Sequence, residues 1–163
     1  MPEKSTLYLE TTIPSYLTSN PSRDLIVAAH QQITHDWWSG AREEFDLYIS
    51  EAVLEEISAG DPGAASRRLA LVEGIPILAL TGEIGELAEE YRQKLRLPEG
   101  AQLDAIHLAC AVVNELEYVL TWNCKHLANG RIIQKLQSIN LDLGRPTPII
   151  VTPEELLDLP EGE

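Results

Sequence analysis

Residues 6–12 read Thr-Leu-Tyr-Leu-Glu-Thr-Thr, a short apolar run closed by Glu10 and two hydroxyls. A run of this length with a polar stop reads as a buried strand, Thr6–Glu10. The same pattern returns at Phe45–Ile49, Ile75–Leu80, Tyr118–Thr121 and Ile149–Val151. Helical periodicity fills the intervals. Thr11–Asn20 begins a brief helix around Pro14, since proline is tolerated in a first turn. In residues 23–39, Leu25, Ile26, Ala29, Ile33 and Trp37 recur at helical spacing and are expected to form a core-facing stripe. Ser50 is placed to cap a helix that Gly60-Asp61-Pro62 ends, and another helix covers 63–73.

Thr81 opens a helix carrying Ile84, Leu87, Ala88, Tyr91 and Leu95. After the break at Pro98-Glu99-Gly100, residues 102–115 are apolar almost all round, which predicts a buried helix. Residues 131–139 form a further helix, and Pro153 opens a last short one. Strands alternating with helices predict a three-layer α/β/α domain with a mostly parallel five-stranded sheet. Residues 1–152 are expected to be one domain, with 153–163 a short helix and acidic tail.

Composition narrows the function. The chain has 163 residues, enough for a single core. Its 12 Lys and Arg against 26 Asp and Glu give a formal charge of −14. Such a chain repels nucleic acid at long range, because phosphate binding draws on basic surface. A small metal-bridged site or a basic partner stays open. Two cysteines, Cys110 and Cys124, are too few for a disulfide framework. With no signal-peptide layout and no apolar run of membrane-spanning length, a cytoplasmic protein is expected.

The chemistry lies in four residues distant along the chain. Glu10 and Asn123 each follow a predicted strand, and ligands of open α/β sheets bind beyond the carboxyl ends of strands. In Glu51–Ser58 the apolar positions Val53, Leu54 and Ile57 set the buried stripe. At 100° per residue Glu56 lies about 105° from its centre and Glu55 about 155°, so Glu55 points to solvent and Glu56 flanks the core. Asp104 falls in the first turn of the most apolar helix, where the helix dipole favours a negative charge by roughly 0.3–1 kcal/mol. A charge there needs a partner. Gathered carboxylates suit Mg²⁺ or Mn²⁺. His107, Cys110, Cys124 and His126 offer a competing zinc set, without zinc-finger spacing. A phosphotransfer receiver would need adjacent acids after the first strand, where this chain has Thr11 and Thr12.

Four segments together resemble the PIN-domain family, small metal-dependent ribonucleases that include VapC-type toxins. They are Leu9-Glu10-Thr11-Thr12-Ile13, the turn from Ser50 to Ile57 with Glu56, Asp104–Ala109, and Thr121-Trp122-Asn123. The resemblance spans about Leu7 to Val151. It implies hydrolysis of single-stranded RNA, with Glu10, Glu56, Asp104 and Asn123 catalytic. Glu10, Asp104 and Asn123 would hold Mg²⁺ or Mn²⁺, supported by Thr12 and Thr121. It also implies a homodimer and an antitoxin protein partner. Two positions depart from the family: Glu10 and Asn123 stand where Asp is usual. The alternative is therefore a catalytically weakened module acting through protein or RNA binding. Trp37 continues the core stripe, while Trp38 is expected at a dimer or partner contact.

Overall fold

The computed structural model describes residues 3–157. Five parallel strands form one sheet: β1 (Ser5–Leu9), β2 (Phe45–Ser50), β3 (Ile77–Leu78), β4 (Tyr118–Leu120) and β5 (Ile149–Val151), in the order β3-β2-β1-β4-β5. The central strand β1 pairs Leu7 with Leu47 on one side and with Tyr118 on the other. Leu7, Tyr8 and Leu9 are fully buried, as expected of a strand covered on both faces. Each such side chain contributes roughly 1.5–3 kcal/mol on leaving water.

Among the described residues seven α-helices connect and cover the sheet: α1 (Thr12–Thr18), α2 (Leu25–Gly40), α3 (Glu51–Ile57), α4 (Pro62–Val72), α5 (Gly82–Lys94), α6 (Gln102–Val113) and α7 (Gly130–Leu143). The chain steps one way from β1 through β2 to β3, then returns to place β4 and β5 on the other side of β1. Right-handed crossovers then put α1–α4 on one face and α5–α7 on the other. The stepping direction reverses between β1 and β4, and open α/β sheets bind ligands beyond the carboxyl ends of strands at such a reversal. Glu10 and Asn123 lie there.

The α/β architecture and the five parallel strands match the expectation. Caps form where the sequence places them: Ser50 accepts from Val53 N at 3.3 Å and Thr81 from Ile84 N at 3.3 Å. Helix α6 is buried nearly all round.

Several boundaries differ. β3 shrinks from the expected Ile75–Leu80 to two residues. Pro76 lacks a donor and stands at the sheet edge, so only its carbonyl joins the ladder, accepting from Ile49 N at 3.0 Å. α7 runs on to Leu143, where Gly144 at φ 68° closes a left-handed cap. The stripe expected in α2 is displaced. Leu25 and Ile26 are 86% and 69% exposed, while Gln31, Thr34 and Trp37 face inward. Gln31 is buried because it satisfies a tight loop, accepting from Ser22 N and donating to Ser19 and Asn20. Thr34 is buried because it accepts from Trp122 Nε1 at 2.7 Å. Trp38 is half-buried against the core, with the Arg42 guanidinium 3.9 Å from its ring centroid. The last helix is a 3₁₀ turn, Pro153–Leu156, whose Leu156 packs on the core together with Leu157. The rest of the expected acidic tail lies outside the described residues.

Candidate active site

Glu10 leaves β1 with only 3% of its surface exposed. Its Oε1 accepts three hydrogen bonds: from Thr12 N at 3.0 Å, Thr12 Oγ1 at 2.5 Å and Thr121 Oγ1 at 2.7 Å. Three donors on one oxygen fix the carboxylate and offset its burial. Its Oε2 makes no bond among the described residues and keeps access to solvent. Thr12 is itself anchored, accepting from Trp122 N at 2.9 Å. Thr121 accepts from Asn123 N at 2.9 Å.

At the start of α6, Asp104 Oδ1 accepts from Asn123 Nδ2 at 3.1 Å, and Oδ2 meets His126 Nδ1 at 2.9 Å. The Asn123 carbonyl turns the other way and accepts from Lys125 N and His126 N. Both its lone pairs are engaged in that turn. Asn123 therefore meets Asp104 with its nitrogen.

Glu56 completes the set. Its Oε1 accepts from Thr11 Oγ1 at 2.8 Å and lies 2.6 Å from His107 Nε2, leaving Oε2 without a partner among the described residues. Glu55 is exposed, as its angular position predicts. Burial pushes the Glu56 carboxyl up, but the hydrogen bond and charge of His107, with the Thr11 hydroxyl, outweigh it and hold the group below its ordinary value. Burial pushes the fully buried His107 down, but the bond to Glu56 and the charges of Glu10, Glu56 and Asp104 carry it above the ordinary imidazole value.

The four predicted residues are thereby linked in a closed circuit. Glu10 is joined through Thr121 to Asn123, then to Asp104, one helical turn along α6 to His107, across to Glu56, and back through Thr11 and Thr12 to Glu10. Sequence reasoning missed part of it. The sequence shows His107 only as a buried helix residue or zinc ligand and His126 only as a zinc ligand, and it shows Tyr8 and Ser50, which prolong the circuit inward, only as strand and cap. Tyr8 Oη sits 2.5 Å from His107 Nδ1 and 2.8 Å from Ser50 Oγ. A usable signal existed: His107 stands three residues after Asp104 and therefore shares its helix face.

The donors suit a hard cation. Glu10 and Glu56 each present an unengaged oxygen, and each Asp104 oxygen carries only one bond. Among the described residues no group of three or more His, Cys, Asp or Glu forms a ready-made metal cage. Mg²⁺ commonly keeps several waters and takes only one or two carboxylates, so it needs no such cage. The zinc set does not fit: both His107 nitrogens are engaged, Cys110 is buried and Cys124 exposed.

No family model and no curated protein matches the chain. Solved structures do. VapC20 from Mycobacterium tuberculosis, described as a Sarcin-Ricin loop cleaving toxin, aligns with a TM-score of 0.59 and 15% identity, over 74% of this chain and 92% of that one. VapBC2 from Rickettsia felis, solved bound to a DNA fragment from its promoter, aligns with a TM-score of 0.57 and 15% identity, over 90% and 98%. Among the described residues no helix is long and apolar enough to cross a membrane. The chain has the PIN-domain fold of the VapC-type toxins.

Proposed function

We propose that the chain is a metal-dependent endoribonuclease of single-stranded RNA, the toxin of a cytoplasmic toxin–antitoxin pair. The observation that supports this most is the circuit joining Glu10, Glu56, Asp104 and Asn123 at the reversal of strand order. Glu10, steadied by Thr12 and Thr121, and Asp104, steadied by Asn123 and His126, would hold Mg²⁺ or Mn²⁺. A bound divalent ion lowers the pKa of its water and offsets charge building on the phosphate. Glu56, kept ionised by His107, would orient the attacking water and take its proton. Asn123 acts in this reading by positioning Asp104. A homodimer and an antitoxin partner belong to the same proposal.

The test is cleavage of a labelled RNA with Mn²⁺. Wild type should cut it, and Asp104→Ala should lower the rate at least a hundredfold. Undiminished cleavage by that variant would withdraw the assignment.

A second reading, a weakened module that only binds partners, draws support from Asn123, whose carbonyl is already engaged in its turn. Calorimetric titration with Mn²⁺ separates the two. A module without a metal site should give no binding heat.

A further inference from the structure

A formal charge of −14 poses a problem for an RNA substrate, since neutralising phosphates with Lys and Arg supplies most nucleic-acid affinity. The cations are unevenly committed. Arg92 is paired with Glu89, Lys94 with Glu90 and Arg145 with Glu83. Arg68 donates to the carbonyls of Ile57 and Ala59, and Arg42 lies on Trp38. Arg96, Lys125, Arg131 and Lys135, like Lys4, Arg23 and Arg67 elsewhere, make no ion pair among the described residues.

Two of these meet in one place. Lys94 and Arg96, at the end of α5, line an open groove of about 540 Å³ with Lys135, Ser138, Ile139 and Asp142 of α7. Arg131, Lys135 and Ser138 follow one another at spacings of four and three, so they share a helix face, and all three are exposed. This row leads toward Gly130, where α7 begins. Just before it lies the loop whose Asn123 and His126 hold Asp104, with Lys125 exposed between them.

The groove-lining Arg96 also closes α5. Leu97 N bonds to Arg92 O at 2.9 Å and Arg96 N to Gln93 O at 3.1 Å, the double bond that closes a helix on a left-handed residue. α7 closes the same way with Gly144 at φ 68°. At the end of α5 that position holds an arginine at φ 54°, a conformation a side chain disfavours. Glu115 closes α6 in the same way at φ 53°, so what sets Arg96 apart is its place on the groove beside Lys94 and Lys135.

The geometry points to this groove as the docking track for the phosphodiester backbone of single-stranded RNA, with Arg96 and Lys135 as phosphate contacts. The inference takes its ligand from the nuclease reading.

The probe is an end-labelled single-stranded RNA of mixed sequence, followed by fluorescence anisotropy over a range of salt. The Asp104→Ala protein, used to keep the RNA intact, is compared with the same protein carrying Arg96→Gly and Lys135→Ala. Binding should weaken about tenfold or more, and the slope of log affinity against log salt should become shallower by about 1.4, at ~0.7 per lost single-strand contact. Arg67→Ala, an exposed cation on α4, should leave both unchanged. Arg96→Gly alone should melt no lower than its parent, which separates lost affinity from lost folding.

Unchanged affinity and slope in the double variant would overturn the inference, as would an equal loss in Arg67→Ala or a groove that takes an acidic peptide but no RNA. With Asp104 intact, cleavage by the Arg96→Gly, Lys135→Ala protein at unaltered KM would sink the groove and leave the nuclease standing. RNA bound through the groove without cleavage by wild type would do the reverse.

Discussion

At Glu56 a single oxygen receives both Thr11 and a histidine with no exposed surface, so the pair answers to pH in a way either residue alone would not. The raised His107 pKa contributes stability that is complete below about pH 6.5, the ordinary imidazole value, and is lost as pH rises through the folded value. The lowered Glu56 pKa contributes stability present above the ordinary carboxylate range and lost as pH falls through its folded value. In metal-free protein the melting temperature should therefore be highest in mild acid and decline on the alkaline side. Glu56→Gln should flatten both limbs; an alkaline decline that persists in that variant would point to another group. Tyr8 stays neutral through this range, since burial pushes its phenol well above the ordinary value, with the nearby charges of Glu10 and Glu56 adding to it and the Ser50 bond opposing. The carboxylates could be picked out from residue type and position. Their orientation could not, because Asn123 pointing nitrogen-first at Asp104 depends on which backbone donors the next turn supplies.

Among the elements, α6 and α2 show opposite degrees of legibility. α6 is apolar almost all round, and no choice of face is needed to see that it is buried. α2 carries polar residues inward and apolar residues outward over its first turns, because Gln31 and Thr34 serve groups brought from residues 19–22 and from Trp122. This makes a mutational contrast. Trp37→Ala should cost about 3–5 kcal/mol in chemical denaturation. Leu25→Lys with Ile26→Lys should stay within about 0.5 kcal/mol of wild type, because both side chains already face water. At the far end of α7, Gly144→Ala should cost about 1–2 kcal/mol, since its positive φ penalises any side chain.

For the whole molecule, the site belongs to no single segment. It is assembled from the residues after β1, from α3, from α6 and from the residues after β4. An ion bound by Glu10 and Asp104 would tie these pieces together only in the folded state. At a hundredfold excess over its dissociation constant, Mn²⁺ should then stabilise the protein by about 2.7 kcal/mol, seen as a rise in melting temperature. The rise should be absent in Asp104→Ala; an equal rise there would place the ion elsewhere. Composition and periodicity were enough for the parallel α/β fold, for the acids at the strand ends and for the burial of α6, because strand length, helical period and turn residues are local properties of the chain. Which oxygen of Glu10 is left open, that His107 joins Tyr8 to Glu56, and that Arg96 and Lys135 face one groove were decided by the tertiary structure. Those relations are distances between residues far apart in sequence, set only when the crossovers bring β1 and β4 side by side.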